Sequence, residues 1–457
     1  MYKIINSFFS KENRKNRILI QTPNRSSFGN CAEEMYFGLL KAKINNKRAL
    51  FLYPRMKIFS LQLSVANREL YHLCSPYIAN VPFSHWLGGQ IISLYTIILW
   101  IFDWFRRIKI IRKVGRFFNS DMTEKAQKNF GYVVPTIGRV DIWKQYGENS
   151  FSWKAVDNLD WSSQINNYNP PRLSNIKYNS SLQKRIDLGI PLSDWFVCLH
   201  VSENDTTTVR NASIENYIKG IKAITKRGGW VVRLGSPSMK SLPIMEKVID
   251  YGHSIHKSPS MDLYLISECE FFIGLASGPT FVAALFDKPQ VQVNMTDYTL
   301  GLPLKKGSLG IMKHVFSRTQ NRFLSIREVL NEPFAVTAFD ESISDEYIFV
   351  ENSDEEIYNL IEEFMNRRNN FNYSENQLAY NEARKEAIRR MINDGEPEWD
   401  GIPPHEKYNS QFRIASRVEA KGTLGEKFLA QNLEMDMYES SGFSIDFIKD
   451  QKSLIVI

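Results

Sequence analysis

The chain has few cysteines, no apolar run long enough to cross a bilayer and no Asp-x-Asp motif at a strand end. Its four cysteines, Cys31, Cys74, Cys198 and Cys269, stand far apart. That spacing fits neither a zinc site nor a disulfide framework, and reads as reduced thiols near apolar segments. The longest apolar stretch, residues 91–102, stops at Asp103, short of the roughly 20 residues a spanning helix needs. Residues 1–14 hold no apolar core ahead of a small-residue cleavage site, so no secretory signal is expected. Internal repeats and low-complexity tracts are missing as well. Without an Asp-x-Asp in a strand-end context, neither a metal site nor a cofactor is expected.

What is present fits a globular protein. At 457 residues, 43% hydrophobic and 23% charged, the chain has room for two or three domains with substantial cores. A net charge of +7 suits anionic membrane surfaces, nucleotide phosphates or nucleic acid, without choosing among them.

The most informative stretch is FFIGLASGPTFVAALFDKPQVQVN, residues 271–294. It reads as strand, small-residue loop, short apolar helix and strand. Pro279 sits where a helix begins, because its fixed φ suits the first turn and its missing N–H is not needed there. Such a loop either offers free N–H groups and a helix dipole to a phosphate, or is an ordinary βαβ junction. Both remain open on the loop alone.

Similar alternation runs through two regions. Residues 17–21, a glycine-bearing loop, a helix over 31–45 and a strand over 49–53 form a first parallel α/β unit, followed by a helix over 61–74. Strands at 195–201 and 230–234, helices at 214–226, 239–251 and 261–268, and a later strand–helix pair at 347–368 form a second. The Asn- and Pro-rich residues 167–179 read as a linker. The predicted architecture is α/β, with two Rossmann-like domains facing a cleft. One spans 1–170, the other 180–370, and a helical and polar extension covers 371–457. A charged helix over 375–392 could pack back on the first domain.

Residues 88–118 break this pattern. Trp104, Phe105, Phe117 and Phe118 interleave with Arg106, Arg107, Lys109, Arg112, Lys113 and Arg116. That mixture suits a helix lying in the interface of an anionic membrane. The alternatives are a buried helix followed by a solvated basic one, or a nucleic-acid groove, though no recognised nucleic-acid module accompanies the charges.

Residues 273–294 resemble the second-domain donor loop of bacterial heptosyltransferases, where Ser-Gly-Pro starts a helix and Lys-Pro leads the next strand. More widely, residues 197–294 resemble a family of bacterial surface-polysaccharide glycosyltransferases. The resemblance implies a two-Rossmann, GT-B-like fold. That family usually reads His-Val-Arg-Glu where this chain has His200–Val201–Ser202–Glu203.

Ligands in open α/β sheets bind outside the carboxyl ends of the strands. Three loops should meet there, carrying His200, Ser202, Glu203 and Asn204, then Arg233, Gly235 and Ser236, then Ser277, Gly278 and Thr280. A cation, backbone-rich turns and hydroxyls suit a nucleotide diphosphate. Each has a bland alternative: Arg233 could pair with a carboxylate, and His200 could be structural. Ser202 lacks the charge of the family's Arg, and Arg210 stands a few residues on. For the base of an inverting transfer, heptosyltransferases carry an acidic residue where this chain has Asn30. The candidates are therefore Glu33, then Glu34, then His200, unless the two glutamates only complement a helix dipole.

The expected function is metal-independent transfer of a sugar from a nucleotide-sugar donor to a lipid-linked or growing bacterial surface polysaccharide. It would act in the cytoplasm, peripherally attached to the inner membrane. Alternatives are a nucleotide-sugar epimerase of the same fold, or a non-catalytic donor-binding member of a polysaccharide assembly complex. A role with nucleic acid is not expected.

Overall fold

Short β-branched runs followed by amphipathic helices dictate a parallel α/β chain, and the computed structural model has that form. It describes residues 18–21, 28–44, 48–51, 57–58, 61–62, 67–74, 168–202, 208–275, 277–296, 298, 302–332, 346–367, 370–394 and 422–433. The expected interfacial segment 88–118 lies outside them. The chain divides into two compact units, Met1–Tyr178 with His405–Ala415, and Asn179–Pro404 with Ser416–Ile457.

In the first unit, β1 (Ile18–Gln21), α1 (Phe28–Ile44) and β2 (Arg48–Phe51) form a βαβ step. The strands pair in parallel, from Ile18 with Arg48 to Gln21 with Phe51. Cys31, Ala32, Met35, Tyr36 and Leu40 are buried on one face of α1. The expected helix over 61–74 is shorter. Lys57–Ile58 (β3) and Leu61–Gln62 (β4) pair antiparallel, and α2 begins only at Arg68, ending at Cys74. Asn67 explains the late start: its side-chain oxygen accepts from Glu69 N at 2.9 Å and Leu70 N at 3.3 Å.

The boundary between the units falls within α3 (Asn175–Asp187), so the later part of the expected linker is helical. The second unit follows. Its centre is a seven-stranded sheet, every neighbouring pair parallel. In chain order the strands are β5 (Phe196–His200), β6 (Trp230–Leu234), β7 (Val248–Ile249), β8 (Phe272–Gly274), β9 (Gln290–Met295), β10 (Leu309–Met312) and β14 (Thr423–Leu424). In space the order is β14-β10-β9-β8-β5-β6-β7. A smaller antiparallel sheet joins β11 (His314–Ser317) to β12 (Arg322–Phe323) and β13 (Tyr347–Val350).

The helices are α4 (Ile218–Lys226), α5 (Pro259–Glu268), α6 (Gly278–Leu285), α7 (Ile326–Val329), α8 (Asp354–Arg367), α9 (Glu375–Asp394) and α10 (Glu426–Asn432). Right-handed crossovers running in opposite directions from β5 and β8 put α4 and α6 on opposite faces. One core follows from the α4 face: Val197, Leu199, Val231, Ile273 and Val291 pack with Ile221 and Ile224 of α4 and Ile357, Ile361 and Phe364 of α8. Those two helices approach closely at Gly220, where a Cβ would lie 2.4 Å from Ile361 Cδ1.

One sequence expectation needs correction. Residues 239–251 do not form a helix. Pro243 would remove an interior hydrogen bond, Lys247 adopts a left-handed φ of 57°, and Val248–Ile249 join the sheet instead. The charged C-terminal helix, α9, is built into the second unit. There Gln377 Nε2 donates to Leu424 O at 2.9 Å and the Tyr380 hydroxyl to Tyr298 O at 3.3 Å.

A fully buried asparagine pair ties the sheets together. Asn294, at φ 53°, donates its N–H to Asn352 Oδ1 at 2.8 Å, and Asn352 N donates to Asn294 Oδ1 at 2.7 Å. Asn352 Nδ2 also donates to Met312 O at 2.7 Å. Asn352→Ala leaves two buried backbone groups without partners, each costing about 1–3 kcal/mol. A loss of roughly 2–6 kcal/mol in unfolding free energy is expected by denaturant titration. An unchanged midpoint would show the pair to be dispensable.

Candidate functional site

The strand order reverses beside β5. From there the chain builds outward through β6 and β7, then returns to add β8, β9 and β10 on the other side. The connections leaving β5 and β8 diverge, and a crevice opens at their carboxyl ends. His200 ends β5, and Ser277 follows β8 by three residues. Ser277 Oγ and His200 Nδ1 lie 3.0 Å apart, bridging the crevice with a hydrogen bond.

Ser277 occupies the position preceding α6, with extended backbone (φ −135°, ψ 167°), yet its hydroxyl does not cap the helix. It turns to His200 instead, so Ser277 supplies no side-chain cap to the positive end of α6. Burial, together with the cations of Arg233 and Lys257, pushes the His200 pKa down to about 4. The imidazole is therefore neutral at pH 7, with one nitrogen on Ser277.

Thr280 does not present its hydroxyl as the sequence suggested. It is buried, and Oγ1 donates to Leu275 O at 2.6 Å, closing the loop from inside. Gly274 leaves room for this, since a Cβ there would fall 2.6 Å from the Phe272 ring and 3.1 Å from Thr280 Oγ1.

Arg233 is also committed. Its side chain is 1% exposed, donates to Lys240 O and lies 3.6 Å from Asp250 Oδ2. Asp250 holds His253 Nδ1 at 3.1 Å and accepts from Leu242 N at 2.9 Å, fixing the loops after β6 and β7. Gly235 is where Met239 folds back: a Cβ would meet its sulfur at 2.3 Å, and Ser236 N points to the same sulfur at 3.2 Å.

Ser202 accepts through its carbonyl from Ala212 N at 3.1 Å, bringing the chain back after the β5 loop. Beyond it Lys313, buried just after β10, donates to Asn211 O at 2.7 Å. Burial pushes the Lys313 pKa down to about 8. Glu203, Asn204 and the side chain of Glu34 lie outside the described residues.

Glu33 belongs to the first unit. Helix α1 starts at Phe28, so Glu33 stands more than one turn inside it, buried rather than exposed at the helix start. The dipole explanation for this carboxylate weakens accordingly.

No known protein family and no curated protein is matched by the sequence. Among solved structures, the chain is similar to a glycosyl transferase family 9 protein from Veillonella parvula DSM 2008. The identity is 11% and the TM-score 0.33, over 61% of this chain and 80% of that one. It is also similar to E. coli ADP-heptose LPS heptosyltransferase II, at 12% identity and a TM-score of 0.29 over 60% and 84% of the two chains.

Sequence reasoning gave no site role to residues 251–262. Ser258 accepts from Met261 N at 3.4 Å at the start of α5, and Ser258 N donates to the Tyr251 hydroxyl at 3.0 Å. Lys257 stands over the Tyr251 ring, 5.3 Å from its centroid, and 3.5 Å from Asp262 Oδ1. The signal was present: Lys-Ser-Pro-Ser-Met-Asp is a cap followed by a helix-starting proline, with a lysine on the carboxyl edge.

The depressed His200 pKa fixes a pH dependence. Its contribution to stability is complete above pH 6.5, the ordinary value. Between 6.5 and about 4 only the unfolded chain takes up the proton, so stability is lost as pH falls. Denaturant titrations from pH 7 to 4 should show a flatter decline for His200→Gln than for the wild type. Parallel declines would place the ring in solvent.

Proposed function

We propose that this protein is a glycosyltransferase that moves a sugar from a nucleotide-activated donor to a lipid-linked or growing bacterial surface polysaccharide. The observation that carries the reading is the His200–Ser277 bond at the reversal of strand order, beside the uncapped start of α6. A diphosphate set there meets the positive end of a helix and a neutral imidazole, and the developing leaving-group charge needs no metal. Ser277 and Gly278 give it a hydroxyl and a close backbone approach.

The acceptor side falls to the first unit. Glu33, buried in α1, is the base that takes the acceptor hydroxyl's proton. Residues 88–118 hold the enzyme on an anionic membrane from the cytoplasmic side; among the described residues no helix is long and apolar enough to cross one. Ser202, where the resembled family has Arg, favours a second reading, a donor-binding subunit without turnover.

A thermal-shift screen of nucleoside diphosphates and nucleotide sugars tests the donor. A ligand present at 100 times its Kd stabilises the native state by about 2.7 kcal/mol. Ser277→Asp brings its own negative charge and should abolish that shift, while Ser277→Ala should weaken binding by roughly 1.5–3 kcal/mol. Full binding by Ser277→Asp would move the phosphate elsewhere.

Glu33→Gln should lower turnover by about 10²- to 10⁴-fold while donor binding is kept. Near-normal turnover would remove Glu33 from the chemistry and leave Glu34 or His200 as the base.

A further inference from the structure

The donor reading, on which this inference rests, calls for a positive charge at the crevice to meet the diphosphate. Arg233 does not supply it, because its guanidinium is buried against Asp250 and the Lys240 carbonyl. Lys313 is buried on the Asn211 carbonyl, and Lys240 is paired with Glu215 on the surface.

Lys257 differs from these three. Strand β7 is at the sheet's edge and β8 lies beyond β5, so the connection between them must cross the ends of β6 and β5. Lys257 sits on that connection, just before α5, with its side chain 29% exposed. The Asp262 oxygen is 3.5 Å away, longer than the 2.7–2.9 Å of a full charge-assisted bond. The Tyr251 ring carries the lysine, and its hydroxyl is anchored on Ser258 N. The ammonium is thus steered but not consumed. Its charge already reaches His200, whose ring holds Ser277.

We propose that Lys257, held by Tyr251 and Asp262, is the cation that binds the donor's diphosphate, in place of the Arg that Ser202 does not supply. A lysine here acts as a compact point charge on a flexible stem, able to swing from Asp262 to a phosphate oxygen.

The test is calorimetric titration of the full-length protein with inorganic pyrophosphate at several salt concentrations. Lys257→Met should bind roughly 10- to 100-fold more weakly and lose part of the salt dependence. Lys257→Arg should recover most of the affinity, and Lys222→Met, on the exposed side of α4, should match the wild type. Lys257→Gln serves if the methionine variant does not fold. Wild-type affinity and salt dependence in the neutral variants overturn the role of Lys257 and leave the donor reading intact. A wild type that binds neither pyrophosphate nor any nucleoside diphosphate overturns the donor reading, and this inference with it.

Discussion

The second unit depends on where its sheet changes direction. Every strand in it is parallel, so each connection must cross a face, and the general hand of such crossovers is right. Starting from β5 and growing both ways leaves one place where adjacent connections part. That parting is where an open parallel sheet forms a crevice at its carboxyl edge. His200 and Ser277 are simply the side chains that stand on its two sides.

Electrostatics at the crevice follow from how completely each charge is already engaged. Arg233 is a charge inside the fold, and its attraction to Asp250 organises two loops rather than a ligand. Burial first, and then its field with that of Lys257, keeps His200 uncharged. A neutral ring can then accept from or donate to Ser277 without drawing an anion of its own. Positive potential at the edge comes from the α6 terminus and from a lysine resting on an aromatic ring. A ligand's charge would therefore be met from two directions.

Much of this was legible in the sequence because it is local. The step over 271–294 declares itself through period, proline and glycine, and the structure places β8, α6 and β9 there. Strands such as Trp230–Leu234 and helix α8 fall within a residue of expectation. What escaped depends on partners that the residue types do not announce. Thr280 looks like a ligand hydroxyl until Leu275 O is seen to accept from it. Arg233 looks like a phosphate clamp until Asp250 arrives from the end of another strand. The two-residue strands β7 and β14 carry almost no periodic signal, and only neighbours in the sheet define them. Residues 239–251 mislead in the opposite way: their apolar spacing suits a helix that Pro243 forbids.

The Asn294–Asn352 pair has a meaning for the chain's history. It clamps two points 58 residues apart, so everything between them hangs from a closed ring. Once such a ring is pinned, lengthening it costs little, about 0.6 kcal/mol for each doubling of a flexible loop. The connection from α7 to β13 lies inside that ring, away from the crevice loops in sequence. Insertions should accumulate there before they accumulate after β5 or β8. The pair thus sets apart a stretch where new sequence, even a new small module, can be acquired while the sheet edge keeps its shape.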